Sequence, residues 1–388
     1  MVTKIVLEII QFQIKIGSAL RIIPLKFGGK VGQTLAVDPE TESYAKAWII
    51  VSFSSILLPV LELQSFSIVD VPALAYHSAV LMISLAALLN LRVFHSKPQE
   101  LSLLFNSMMK FGHTEKNQFR KEFNWKFNTQ GHLINVTSVI LAISSFLLPI
   151  VIPTVSAIFP CIHQVYVKQL CQSSCVKCSE WYFRLLPYVV DTTFMAPITV
   201  ACGLMGNLCL MNIYCINRHL QIMCKIHRNL PIAPNRSDRN GLALYFRKLQ
   251  ILVILSNQCF QQNVWPNIQF TGAALMICLL YSIILFGHTL NFKLVLFMVF
   301  MLCAAMVFTF LILDVGSRPI ILSKKLLGKW LRWRSEKSWG KFLRSCDPIS
   351  LRVGPFHRMD RGRGPALIRF TVQRTFYLVV QSKAINCH

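Results

Sequence analysis

The stretch GRGPALIRFTVQRTFYLVVQ (residues 362–381) is the poorest of seven candidate membrane spans, and its reading decides the fold. Arg369, Gln373, Arg374 and Gln381 interrupt its apolar residues. A polar residue in hydrocarbon is costly, so a polar span usually faces a bundle interior or a water-filled path. A weak final span behind six better ones therefore raises the question of a pore.

Working back from it, six stretches approach or exceed the roughly 20 apolar residues that cross a bilayer. They are Ala47–Leu63, Val71–Leu91, Leu133–Phe159, Leu185–Tyr214, Pro266–Phe286 and Leu294–Val315. The composition agrees. Of 388 residues 54% are hydrophobic and 14% charged, where a soluble protein has about 25% charged residues. The mean hydropathy is +0.51. The fold class is an all-α polytopic membrane protein with seven transmembrane helices.

The net charge of +24 does not point to nucleic acid, because Lys and Arg gather between the spans rather than on a basic domain. Residues 1–46 hold 6 of them, 92–131 hold 7, 215–265 hold 7 and 316–363 hold 13. The other side holds five: Lys168, Lys177, Arg184, Lys293 and Lys383. Flanking positive charge stays cytosolic. The N-terminus is therefore expected in the cytosol, the reverse of a G-protein-coupled receptor.

This divides the chain into a cytosolic N-terminal segment (1–46), six spans with cytosolic extensions (47–315), a basic cytosolic segment (316–363) and a last helix with a short outer tail (364–388). The first twenty residues are too broken by Glu8, Gln11, Gln13 and Lys15 for a signal peptide. Ile5, Val6, Ile9, Ile10 and Phe12 instead suggest one apolar stripe of an amphipathic helix on the cytosolic surface. The outer links Gln64–Asp70 and Gly287–Lys293 are short. The inner loops, about 40–50 residues each, are long for structureless connections and carry helical patterns, which predicts a helical cytosolic anchor. In Lys324–Arg344, Trp and Leu mix with Lys and Arg. That composition suits an interfacial or calmodulin-target helix, but unsegregated positions favour a packed helix with a solvated basic face.

Cys161, Cys171, Cys175 and Cys178 share one outer loop. Cys175 and Cys178 have zinc spacing, but an extracytosolic location favours one or two disulfides. No metal or other cofactor is expected. No HExxH, GxSxG or GxxxxGK[ST] pattern occurs, and an enzyme is not expected. Asp191 on the fourth span is an intramembrane ionisable residue by default functional, with hydration at the interface an equal alternative. His77 on the second span reads first as a core histidine. Two sequons, Asn135-Val-Thr137 and Asn235-Arg-Ser237, fall on the inner side and should carry no glycan.

Near the C-terminus the chain reads Thr375-Phe376-Tyr377-Leu378-Val379-Val380-Gln381-Ser382. This resembles the hallmark of the arthropod gustatory/odorant receptor superfamily: Thr-Tyr, five apolar residues, then Gln-Phe in the last span. Phe376 stands for the Tyr, four residues separate it from Gln381, and Ser382 replaces the final Phe. One missing residue turns the glutamine by about 100° around a helix. Leu20–Gly29 resembles the superfamily's N-terminal Pro-Leu segment more weakly.

The resemblance implies a ligand-gated cation channel in the plasma membrane, built as a homo- or hetero-tetramer. Each subunit would contribute its last helix to a central pore, with Thr375, Phe376 and Gln381 on that helix and Val380 a constriction beside the polar ring. A small chemical would bind among the outer halves of the spans. Aromatic and polar residues there give the candidates Tyr76, His77, Tyr188, Asp191, Thr192, Phe194, Tyr281 and Phe297. Membrane lipid is the other partner. The alternatives are a G-protein-coupled receptor, which lacks its Asp-Arg-Tyr and Asn-Pro-x-x-Tyr signatures here, and a secondary transporter, whose halves seven spans do not supply.

Overall fold

The computed structural model of the chain describes residues 4–28, 34–41, 44, 47–50, 53, 71–118, 129–158, 181–230, 235–288, 292–333, 337–355 and 357–385. In chain order these form α1 (Lys4–Ala19), the strands β1 (Leu25–Gly28) and β2 (Thr34–Val37), then α2 (Val71–Ser96), α3 (Pro98–Gln118), α4 (Thr129–Ile158) and α5 (Trp181–Asn229). There follow α6 (Arg236–Phe260), α7 (Val264–Phe286), α8 (Phe292–Trp330), α9 (Lys337–Arg344), the strands β3 (Arg352–Val353) and β4 (His357–Arg358), and α10 (Arg363–Ile385). Among the described residues the architecture is helical apart from two antiparallel hairpins that the sequence did not announce.

Four described helices are long and apolar enough to cross a membrane: His132–Val151, Thr199–Arg228, Val264–Leu285 and Met298–Trp330. They fall on the expected third to sixth spans, and the protein is multi-pass. Most of the expected first span, and the loop holding Cys161, Cys171, Cys175 and Cys178, lie outside the described residues. The second and last spans form α2 and α10, the last a continuous helix despite Arg369 and Arg374.

Two helices are longer than a bilayer crossing needs. With a rise of 1.5 Å per residue, the 49 residues of α5 reach about 74 Å and the 39 of α8 about 58 Å. A hydrocarbon core is only about 30 Å thick. The surplus builds a packed base. There His219 of α5 lies 2.7 Å from the Tyr245 hydroxyl of α6, and Phe111 of α3 stacks on Tyr245. Trp330, Trp333 and Trp339 are buried beside Phe246, while Lys324, Lys325, Lys341 and Arg344 are exposed. The described residues of Lys324–Arg344 are thus packed on one side with lysines and Arg344 exposed on the other, and the three tryptophans are buried.

The N-terminal reading needs correction. The buried face of α1 is Val6, Ile10, Gln13, Ile14 and Gly17, while Ile5 and Phe12 of the expected stripe are exposed. The helix docks between α4 and α5. Gln13 Nε2 donates to Ser145 Oγ at 3.3 Å, and Asn207 Nδ2 donates to Gln13 Oε1 at 2.9 Å. Gln13 therefore belongs to the packed face. The spacing 6, 10, 13, 14, 17 is helical once a glutamine with two partners counts as an inward residue.

The first hairpin is explained by a clamp from α3. Asn106 presents its amide to β2 as a neighbouring strand would: Leu35 N–H donates to Asn106 Oδ1 at 2.8 Å, and Asn106 Nδ2 donates to the Leu35 carbonyl at 2.8 Å. A two-stranded hairpin is marginal alone; here Leu25 and Leu35 are also buried in the core.

Candidate functional site

The last helix is held along one narrow strip. Gly364, Leu367, Thr371, Thr375 and Val379 face the chain's own bundle, and α10 packs mainly on α7 with a lighter contact to α8. Thr371 and Thr375 satisfy their hydroxyls inside the helix, donating to the carbonyls of Leu367 and Thr371 at 2.9 Å each. Gly364 permits the approach to α8, because a Cβ there would meet the Phe310 ring at 3.2 Å.

Most of the remaining described side chains of α10 look outward. Phe376 is 69% exposed, Val380 51%, and Phe370, Val372, Tyr377 and Leu378 are also exposed. So are Arg369, Gln373, Arg374 and Gln381. Gln381 Nε2 donates to the Tyr377 hydroxyl at 3.0 Å, and the Arg374 guanidinium lies over the Phe370 ring. Of the four residues assigned to a pore, Phe376, Val380 and Gln381 are exposed, whereas Thr375 turns into its own bundle. Polar and aromatic groups mixed on one exposed face suit neither lipid alone nor water alone.

Cross-links between helices give a common level for the candidate ligand residues. Asn90 of α2 donates to Cys202 Sγ of α5 at 3.3 Å, and Asn267 of α7 donates to the Ala86 carbonyl of α2 at 2.9 Å. Gly272 of α7 packs so closely on Thr309 of α8 that a Cβ would meet its Oγ1 at 2.6 Å. Tyr76, His77, Tyr188, Asp191, Thr192, Phe194, Tyr281 and Phe297 all sit roughly 8–14 residues beyond these links, towards one end. That is about 12–21 Å of helix. The backbone thus brings these positions to the same end of the bundle. Thr192 and Tyr281 are half-buried; the other six side chains lie outside those described.

A described cleft of about 520 Å³ opens at the opposite end, between α6 and residues 345–358. It was not legible in the sequence, because its walls come from distant segments. Beside it, burial pushes the Cys259 thiol up to about 12, with the Glu100 carboxylate adding to the shift and Lys97 opposing it. The Cys346 thiol is raised by burial as well, with Arg247 working against the shift. Among the described residues no group of His, Cys, Asp and Glu could hold a metal ion.

No protein-family model and no curated protein matches the chain. Solved structures do. The insect olfactory receptor OR5 from Machilis hrabei in complex with eugenol is 13% identical, with 97% of this chain and 99% of that chain covered and a TM-score of 0.67. A second structure of that receptor gives 12% identity, 96% and 99% coverage, and a TM-score of 0.61. The chain therefore has the fold of that receptor along nearly its whole length.

Proposed function

We propose that this chain is a chemosensory receptor of the insect gustatory/odorant type, acting as a ligand-gated cation channel in the plasma membrane with its N-terminus in the cytosol. The observation that carries the reading is the packing of α10. One strip is bound to its own subunit, and a face bearing Phe376, Val380, Gln373 and Gln381 is left uncovered by the other helices of the chain. Copies of α10 around an axis, in a homo- or hetero-tetramer, would cover the aromatic residues and turn the glutamines to water. Val380 beside Gln381 then forms an apolar constriction next to a polar ring, a gate that closes by dewetting. Residues 1–46 and 316–363 belong to the cytosolic side in this reading, and residues 47–315 carry the other six spans. The rest of α10 is surrounded by membrane lipid and neighbouring subunits.

The ligand is a small molecule held among the outer halves of the helices, near Tyr76, His77, Tyr188, Asp191, Thr192, Phe194, Tyr281 and Phe297. The Machilis receptor of the same fold was solved with eugenol, which supports that ligand class. Such a ligand opens the channel only by binding the open form more tightly than the closed form. The resemblance of the C-terminal motif is strongest to gustatory receptors, so taste is the sense proposed. Cys161, Cys171, Cys175 and Cys178 are proposed to form disulfides in the outer loop.

Two neighbouring valines test the assignment. Val380→Asn should leave folding intact and produce a basal leak current in whole-cell recording, because the constriction is wetted. Val379→Asn buries an amide against α7 and should lower expression instead. A silent Val380→Asn receptor, with agonist currents identical to wild type, would remove Val380 from the pore.

A further inference from the structure

The cleft at the basic end of the bundle takes no part in the proposed pore or ligand pocket. Lys97, Arg247, Arg352 and Arg358 line it against a single acid, Asp347. Among the described residues none of the four cations is paired with a carboxylate within 4.0 Å. Those that are bonded meet neutral oxygens. Arg247 donates to Gln250 Oε1 at 2.9 Å and to Ser345 Oγ at 2.5 Å, and Lys97 donates to the Gln258 carbonyl. Cations gathered without counter-ions repel one another, and an incoming anion would relieve that repulsion.

The walls are fixed before anything binds. Asn257 Oδ1 accepts from the Arg352 backbone N–H at 3.0 Å, and its Nδ2 donates to the Ser350 carbonyl at 3.2 Å. Gln261 and Gly354 exchange two hydrogen bonds: the Gly354 N–H donates to the Gln261 carbonyl at 2.8 Å, and Gln261 Nε2 donates to the Gly354 carbonyl at 2.7 Å. The side chains of Arg352 and Arg358 are therefore free of wall-building duty, and both are exposed. Guanidinium groups match phosphate oxygens in a planar, two-pronged geometry.

We propose that this cleft binds a multiply charged phosphate-bearing anion through Arg247, Arg352 and Arg358. The headgroup of an anionic phospholipid and a soluble polyphosphate share this chemistry. The hairpin that forms one wall ends at Arg358 and the chain enters α10 at Arg363. Occupancy would therefore tie α6 to the foot of the last helix. That consequence rests on the pore reading; the binding itself does not.

The test uses purified full-length receptor in detergent at physiological salt, titrated with inositol hexakisphosphate and with a dioctanoyl phosphatidylinositol bisphosphate. Saturable binding is expected for at least one probe, weakened about tenfold or more in the Arg352→Gln/Arg358→Gln double variant. Unfolding temperature should be unchanged, since neither side chain builds the wall. Asp347→Asn should tighten binding. The tighter probe identifies the source as lipid or soluble metabolite. Absence of saturable binding by both probes, or binding that ignores the double variant, would overturn the proposal whether or not the receptor conducts.

Discussion

Asn207 of α5 donates its side-chain amide to Gln13 Oε1 of α1 at 2.9 Å, with both residues fully buried. A polar pair with so little access to water locks the N-terminal helix to the bundle in one register. Leaving a buried partner unsatisfied costs about 1–3 kcal/mol. Gln13→Ala should therefore lower the thermal midpoint of the solubilised protein by several degrees, while Ile5→Ala on the exposed face barely moves it. Equal midpoints for the two variants would mean that α1 is not docked through Gln13.

Gly203 of α5 packs directly on Ser145 of α4. A Cβ there would lie 2.5 Å from Ser145 Cβ and 3.1 Å from Gln13 Nε2. The Ser145 carbon is not the end of a flexible chain, so the helices themselves must part. Overpacking of this kind costs about 1–3 kcal/mol. Gly203→Ala should destabilise the protein clearly more than Gly206→Ala, where the nearest atom is the Leu141 Cδ1 at 3.2 Å, the end of a flexible side chain. Thermal unfolding of both variants decides it.

Burial holds the Cys259 thiol at about 12, above the usual range near 8.5. Raising this pKa disfavours the thiolate, so at pH 8 only about one molecule in ten thousand carries it, and the thiolate is the nucleophile. Iodoacetamide should leave Cys259 unmodified at pH 8 in the folded protein and label it after denaturation, read site by site by mass spectrometry. Rapid labelling of the folded protein would contradict the burial of Cys259.

Asn235 and Ser237 of the second sequon are both exposed, so geometry would not shield them from glycosylation. The proposed topology puts them in the cytosol. Expression in cells should give no glycosidase-sensitive mass shift attributable to Asn235, and an Asn235→Gln variant should migrate as wild type. A glycan at Asn235 would reverse the orientation.

The spans from residue 129 onwards were legible because hydrophobic runs of this length leave few alternatives. Part of the helical base was legible too: the apolar spacing through 242–255 lies on α6, and that of 326–330 on the end of α8, which stops at Trp330. The register of α1 was not, since Gln13 looked like an interruption until Ser145 and Asn207 supplied its partners. The first hairpin depends on Asn106, more than 70 residues from Leu35, and no local pattern records such a clamp. At the candidate site, Thr375 and Gln381 could be placed on the last helix, but not the direction each faces. Thr375 turns inward because the strip 371, 375, 379 packs on α7, a tertiary choice that the motif alone does not encode.

Whole-cell current against a panel of small volatile and tastant molecules, recorded with G-protein signalling blocked, tests the central claim most directly. The account predicts a direct cation current evoked by at least one agonist, with conductance or ion selectivity altered by Gln381→Ala. An agonist response that vanishes with the G-protein block, with no direct current remaining, would contradict it.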